Sequence, residues 1–82
     1  MQFIDVGTMV SPTIYARRSL TYLKTKMPEQ ALKDALQALT ISPSWYIAFY
    51  LKAMALLALG REREANAALE EGSSLERKRS MN

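Results

Sequence analysis

The sequence predicts an all-α fold, a stack of helix-turn-helix units with about two repeats and a partial helix in front of them. Two observations lead to this prediction. Prolines and glycines divide the chain into segments with helical apolar spacing, and the pattern of these segments occurs twice along the chain. The length of 82 residues allows one small domain. With 49% hydrophobic and 23% charged residues, the composition is that of a folded chain.

The first helix pair begins at Ser11 and Pro12. A serine hydroxyl can accept from the free amides of a helix start, and proline lacks an amide that would be unpaired there. This helix is predicted to run to about Lys26. The second helix begins at Pro28, with Glu29 at the positive end of the helix dipole. Its predicted inner stripe consists of Ala31, Leu32, Ala35, Leu36, Ala38 and Leu39.

The second helix pair repeats these signals. Ser42–Pro43 is another helix start, and residues 44–59 are apolar on nearly every face, which indicates a helix packed between others. Gly60 suits a helix end because glycine adopts positive φ without steric cost. A fourth helix is predicted over residues 61–71, with Ala65, Ala68 and Leu69 inward.

An internal repeat relates the two pairs. A shift of the chain against itself by one repeat length matches Tyr15 with Phe49, Ser19 with Ala53, Tyr22 with Leu56, Leu23 with Leu57, Ala31 with Ala65, Ala38 with Gly72, and Ile41 with Leu75. A pair of antiparallel helices that recurs after about 34 residues is typical of the tetratricopeptide repeat. The alternative is a four-helix bundle without a repeat.

This frame divides the chain into four parts. Residues 1–10 are predicted to be the remnant of a preceding repeat helix, 11–43 the first repeat unit, 44–76 the second, and 77–82 a basic disordered tail. One departure concerns the turn inside the first unit. Lys26 stands where the second unit has Gly60, and we expect a relaxed turn there.

Composition excludes several kinds of function. The chain has no cysteine and no histidine, which removes thiolate and histidine metal sites and the common nucleophilic dyads. We expect no cofactor, no metal and no catalysis. A net charge of +3 is too small and scattered to indicate nucleic acid binding. No apolar run reaches the roughly 18 residues of a membrane span, so we expect a cytoplasmic chain without direct membrane insertion.

The motifs also resemble one family. Three stretches carry this resemblance: Gln2 to Pro12, Tyr-Ala-Arg-Arg-Ser-Leu at residues 15–20, and Ile-Ser-Pro-Ser-Trp at 41–45. They are similar to the C-terminal repeat region of plant brassinosteroid-signalling kinases, which are receptor-like cytoplasmic kinases. The resemblance extends to Leu-Glu-Arg-Lys-Arg at 75–79. It implies a kinase-like domain upstream, a lipid that holds full-length relatives at the plasma membrane, and an N-terminally truncated chain. It also implies protein partners, namely the kinase-like domain, receptor kinases or downstream signalling proteins.

Repeats of this type usually bind partners along the first helix of each unit. The repeat frame assigns this groove to Thr13, Ala16, Leu20, Leu23, Lys24, Ile47, Tyr50, Met54, Leu57 and Ala58. Burial in the core, or contact with a missing neighbour, is the competing interpretation for Leu20, Leu23, Met54 and Leu57. Tyr50 is the strongest candidate because its ring and hydroxyl suit a binding hot spot. The groove lacks the cationic and amide side chains that grip a carboxylate, which argues against a clamp for chaperone C-termini.

Charged residues outside the groove admit simpler interpretations. Arg17 and Arg18 form an adjacent pair that could hold an acidic or phosphorylated segment. Neighbours on a helix point about 100° apart and cannot both face one ligand squarely, so a position at the groove rim or in solvent is favoured. Trp45 is expected to cover the junction between the units. Arg77-Lys78-Arg79-Ser80 resembles a target of basic-directed kinases, although a solvated tail is the simpler interpretation.

Two functional hypotheses remain. The first is a non-catalytic protein-interaction module that acts as an adaptor or regulator in receptor-kinase signalling. The second is a stand-alone repeat protein that forms homodimers through exposed helix faces, with Met9, Ile14 and Leu20 at the contact. Stacks of this kind generally need about three units, so two units would leave apolar faces uncovered.

Overall fold

The computed structural model describes residues 11–81, and over this range it consists of helices joined by short turns. The helices are α1 (Pro12–Lys24), α2 (Pro28–Ile41), α3 (Tyr46–Ala58) and α4 (Glu62–Met81). The predicted all-α helix-turn-helix stack is confirmed. The helix remnant predicted for residues 1–10 lies outside the described residues.

The helix starts follow the local sequence signals. The Oγ of Ser11 accepts from the amide of Thr13 at 3.2 Å, and Pro12 occupies the first turn of α1. Pro28 likewise occupies the first turn of α2. The third helix begins two residues later than predicted, at Tyr46, because the amide of Trp45 donates to the carbonyl of Ser42 at 3.2 Å and forms a turn first.

The two turns inside the helix pairs have the same geometry. Lys26 has φ 62° and Gly60 has φ 79°, both in the left-handed region. The amides of Lys26 and Met27 donate to the carbonyls of Leu23 and Tyr22, at 3.2 and 2.8 Å. The amides of Gly60 and Arg61 donate in the same pattern, at 3.0 and 2.9 Å. Both ends are therefore Schellman motifs. The relaxed turn expected at Lys26 is wrong, since this lysine adopts the strained conformation that the motif requires.

Small side chains let the helices approach closely. Side chains with no exposed surface include Ala31, Ala35, Ala38, Ala48, Ala53, Ala55 and Ala65. The Oγ of Ser19, also fully buried, donates to the carbonyl of Ala31 at 2.8 Å and ties α1 to α2. Leu56 is the largest fully buried side chain, and its burial contributes roughly 1.5–3 kcal/mol.

The helices pack in chain order. Each helix packs against the next, and α3 also contacts α1, so that α3 lies between the first pair and α4. This position explains its apolar character on nearly every face. It also brings α1 and α3, the first helices of the two units, side by side, which is the arrangement that the groove prediction requires.

The outer faces of the stack are more polar than the inner ones. Leu32, Leu36 and Leu39 of α2 correspond to residues of α4 that are polar, namely Asn66, Glu70 and Ser73. At the other end, Arg17 and Thr21 of α1 correspond to Leu51 and Ala55 of α3, which are buried. Within residues 11–81, the exposed faces of α1 and α4 therefore carry polar residues at several positions that are apolar in the other unit.

The fourth helix is longer than predicted. It spans 20 residues and ends at Met81, whereas the sequence pattern predicts a disordered tail from residue 77. Residues 75–79 are mostly good helix formers, and Lys78 and Arg79 suit the negative end of the helix dipole. The absence of a proline or glycine after Gly72 is the sequence signal for this extension.

An ion pair connects the two helices of the first unit, α1 and α2, and the second unit, residues 44–76, has no equivalent of it. Asp34 is 4% exposed, and its two oxygens accept from Nε and Nη2 of Arg18 at 3.1 and 3.4 Å. The Arg18 side chain is 57% exposed. The corresponding residues of the second unit, Lys52 and Ala68, cannot form this pair. Arg18 therefore keeps a buried carboxylate bonded, and the predicted position at the groove rim or in solvent misses this role.

We predict that Lys26→Gly raises the free energy of unfolding by about 1 kcal/mol. A non-glycine residue in the left-handed region costs roughly 1–2 kcal/mol, and the greater freedom of glycine in the unfolded chain offsets part of that gain. Urea unfolding followed by circular dichroism measures the change. The matched control is Gly60→Ala, which should lower the stability by a similar amount. A Lys26→Gly variant that is less stable than the wild type would contradict the backbone strain assigned to Lys26.

We also predict that Arg18→Ala destabilises the protein by about 1–3 kcal/mol, because it leaves the buried carboxylate of Asp34 without its partner. The double variant Arg18→Ala/Asp34→Ala should recover part of this loss. Urea unfolding of the wild type, both single variants and the double variant gives the coupling energy. Additive effects of the two substitutions would show that the pair does not act as a unit.

Candidate protein-binding groove

Exposed apolar side chains line the neighbouring helices α1 and α3. Leu20 of α1 is 41% exposed, and Met54 and Leu57 of α3 are each 47% exposed. Ile47 lies on the same face of α3 and is similarly exposed, and Thr13 and Lys24 continue the corresponding face of α1. We call these six residues the groove: Thr13, Leu20, Lys24, Ile47, Met54 and Leu57. Ala58, which is exposed, extends the face at the end of α3.

Two residues predicted for the groove belong mainly to the interior. Ala16 is 8% exposed and forms a core cluster with Ala35 and Leu51. Leu23 is half-buried and packs against this cluster, as Trp45 does. The prediction of Ala16 as a groove residue is therefore wrong, and the competing interpretation as core is partly right for Leu23. Trp45 has the packing role expected at the junction between the units.

Tyr50 is occupied by a contact within the protein. Its hydroxyl donates to Oε1 of Glu76 on α4 at 2.6 Å. Its ring lies against Gly72, where a Cβ atom would come within 2.8 Å of the ring Cε1. The hydrogen bond to Glu76 is the main cause that raises the pKa of Tyr50 above its ordinary value. The neutral hydroxyl thus fastens α4 to the edge of the groove and is already engaged.

A second aromatic contact extends this attachment. The rings of Tyr46 and Tyr50 lie edge to face, with centroids 5.9 Å apart. The guanidinium of Arg79 lies 6.0 Å from the centroid of Tyr46. The sequence predicted no contact for Glu76 and assigned Arg79 only to a basic motif in the tail. Both residues follow Gly72 at helical spacing along α4, which was the available signal. These contacts place the end of α4 along the wall of α3.

Among the arginines predicted at the rim, only Arg17 has no bonded partner among the described residues. It is exposed on α1 and takes part in neither of the two ion pairs formed within residues 11–81. Arg18 instead bonds Asp34 and lies 5.8 Å from the ring centroid of Tyr15. The two side chains therefore do not act together on one ligand.

The acidic residue Glu64 is held in an ion pair on α4. Glu64 pairs with Arg61 at 2.7 Å, and the hydrogen bond from this guanidinium lowers the pKa of Glu64. Within residues 11–81, the acidic side chains form no group of three that could hold a metal ion. None of the helices described is both long and apolar enough to cross a membrane.

Comparison with known proteins identifies the repeat. Residues 1–53 match the family model described as "Serine/threonine-protein kinase BSK1-like, TPR repeats", and residues 46–79 match the tetratricopeptide repeat model. The second match covers α3 and most of α4. No solved structure matches the chain.

Several curated proteins are similar to nearly the whole chain. The probable serine/threonine-protein kinase BSK3 of Oryza sativa subsp. japonica is 64% identical over 75 residues, which cover 92% of this chain and 15% of that protein. Serine/threonine-protein kinase BSK3 of Arabidopsis thaliana is 57% identical, with 94% of this chain and 16% of that protein covered. The chain thus spans about a sixth of the length of these relatives.

These matches agree with the helix pairs, the repeat period and the two equivalent turns. They confirm the resemblance found in the sequence motifs, and they place it in the repeat region of the relatives. The chain belongs to the BSK1-like serine/threonine-protein kinase family and comprises its C-terminal tetratricopeptide-repeat region.

Proposed function

We propose that this chain is a non-catalytic module that binds an apolar segment of a partner protein along the groove, and that it acts as an adaptor or regulator in receptor-kinase signalling. The observation that carries the proposal is the alignment of Leu20, Met54 and Leu57 on neighbouring helices, each more than 40% exposed. Burial of such side chains releases water from apolar surface and is the main favourable term in protein association.

The partner classes follow from the family. Candidates are the kinase-like domain of the same protein family, receptor kinases and downstream signalling proteins. The relatives are named as serine/threonine-protein kinases, and most of their length lies outside the region similar to this chain. A segment of such a kinase could therefore occupy the groove. Through such contacts the chain would act near the plasma membrane without entering it.

The chemistry of the groove favours an apolar segment over a charged one. Lys24 is the only charged member of the groove. The exposed arginine Arg17 lies at the rim of the groove, four residues after Thr13 and three before Leu20. Arg18 is held by Asp34. A carboxylate leaving water would need several converging donors, which these residues do not provide. The side chains of Leu20, Met54 and Leu57 instead offer an adaptable apolar surface.

We predict that Met54→Glu weakens binding to the kinase region of the rice relative by at least about tenfold, because the introduced carboxylate would have to lose water in an apolar contact. The free energy of unfolding should change by less than about 0.5 kcal/mol, since the side chain is half exposed. Calorimetric titration of the purified kinase region with this chain measures the affinity.

The matched control is Leu36→Glu. Leu36 is 43% exposed but lies on α2, outside the groove. The Leu36→Glu substitution introduces the same charge at a similarly exposed position, and it should leave the affinity for the kinase region unchanged. Equal losses in both variants, or no binding by the wild-type chain, would count against the groove as the site of contact.

A second proposal is self-association through α1. Ile14 is 49% exposed and lies on a face of α1 outside the groove. The same outer face carries Arg17 and Thr21, which limits its apolar area. A two-fold contact there would cover Ile14 in both copies, while Leu20 would contribute from the neighbouring face.

We predict a concentration-dependent dimer in light scattering at hundreds of micromolar. Ile14→Glu should shift the measured mass toward the monomer, because the charge would be buried at the contact. Leu20→Glu should do the same if the contact extends to the groove. A wild-type chain that stays monomeric at this concentration would rule out self-association, whereas the groove proposal would stand.

A further inference from the structure

The two repeat units contain equivalent surface clefts. The unit-one cleft, of about 400 Å³, is lined by Tyr15, Arg18, Tyr22, Gln30, Lys33, Asp34 and Gln37. The unit-two cleft, of about 220 Å³, is lined by Phe49, Lys52, Glu64, Ala67, Ala68 and Glu71. A shift by one repeat length relates every lining residue of the first cleft except Tyr22 to a lining residue of the second. The cleft is thus a feature of the repeat backbone, and the side chains that line it differ between the two units.

The two linings differ in charge. In the unit-one cleft, Arg18 and Lys33 against Asp34 leave one net positive charge. In the unit-two cleft, Lys52 against Glu64 and Glu71 leaves one net negative charge. The acidic Glu64 and Glu71 correspond to the amides Gln30 and Gln37, and Ala67 corresponds to Lys33. The equivalent clefts, which differ in size, therefore present mainly hydrogen-bond donors in the first unit and two carboxylates in the second.

Arg18 is held in place at the unit-one cleft. Two of its five N–H donors bond Asp34, at 3.1 and 3.4 Å, and its guanidinium lies 5.8 Å from the centroid of Tyr15. Three N–H donors remain for a ligand. The carboxylate of Asp34 is buried and bonded by the same arginine, so it fixes the guanidinium and exposes little negative surface.

Further donors surround this arginine. The phenol groups of Tyr15 and Tyr22, the ammonium of Lys33 and the amides of Gln30 and Gln37 line the same cleft. Among residues 11–81, none of these five side chains forms a hydrogen bond or an ion pair with another residue. A doubly charged group with three acceptor oxygens matches this number of donors better than a carboxylate, which has one charge and two oxygens.

We propose that the unit-one cleft binds the phosphate group of a phosphorylated segment of a partner protein. The guanidinium of Arg18 and the ammonium of Lys33 contact the phosphate oxygens, and the amides and phenols complete the hydrogen bonds. The cleft shares no residue with the groove, so this contact is separate from the proposed apolar binding. Failure of either proposal leaves the other intact.

The test is a nuclear magnetic resonance titration of the full ¹⁵N-labelled chain. The probes are a short glycine- and alanine-flanked phosphoserine peptide, the same peptide with serine, and inorganic phosphate. We expect saturable shifts of the amides around the unit-one cleft with the phosphopeptide, weaker shifts at the same amides with inorganic phosphate, and none with the serine peptide. Equal shifts with the serine peptide, or shifts centred elsewhere, would overturn the proposal.

Two variants test the assigned donors. Lys33→Ala and Gln37→Glu introduce the residue types of the unit-two cleft at solvent-accessible positions, so both should fold. Each should weaken phosphopeptide binding by about tenfold, which corresponds to the loss of one charge-assisted contact or the gain of a repulsive one. The control Lys78→Ala removes the same charge at an exposed position of α4, outside the groove and both clefts, and should leave the affinity within about twofold. An equal loss of phosphopeptide affinity in the control would show that the effect depends on net charge alone, and it would refute the site.

Discussion

Close approach of neighbouring helices at small buried side chains is the constraint on which the rest of this structure depends. Ala31, Ala35 and Ala53 have no exposed surface, and Ser19 bonds the carbonyl of Ala31 across the first helix pair. At such positions a larger side chain would separate the helices and open voids in a core that has few large residues. Because the helices pack this closely, α3 can contact both α1 and α2, and the groove follows from that contact.

The repeat supplies one backbone plan, and the side chains adapt it to different surroundings. Position 51 in the second unit is a buried leucine, whereas the corresponding position 17 at the outer end is an exposed arginine. Likewise, the outer face of α4 carries Asn66 and Glu70 where α2 has leucines. Polar residues at these positions reduce the exposed apolar area there, whereas Leu20, Met54 and Leu57 leave exposed apolar area on α1 and α3.

Local sequence signals predicted the elements better than their contacts. The prolines at 12 and 28 and Gly60 set helix starts and ends where expected, since their effects act within one turn of backbone. The extension of α4 was missed because its polar residues resemble a solvated tail, although no proline or glycine after Gly72 would end the helix. The left-handed φ of Lys26 was missed for a related reason. The residue type disfavours that conformation, and the hydrogen bonds of the motif impose it.

The sequence by itself determined the helical class, the repeat period, the family and the exposed aliphatic line of the groove, because these depend on spacing along one helix at a time. Only the tertiary structure decided which polar groups meet. Tyr50 bonds Glu76 across 26 positions of chain, and Arg18 bonds Asp34 across 16. Hydrogen bonds between side chains require atoms within about 3 Å, and such distances are set by how helices cross rather than by the pattern along any one of them.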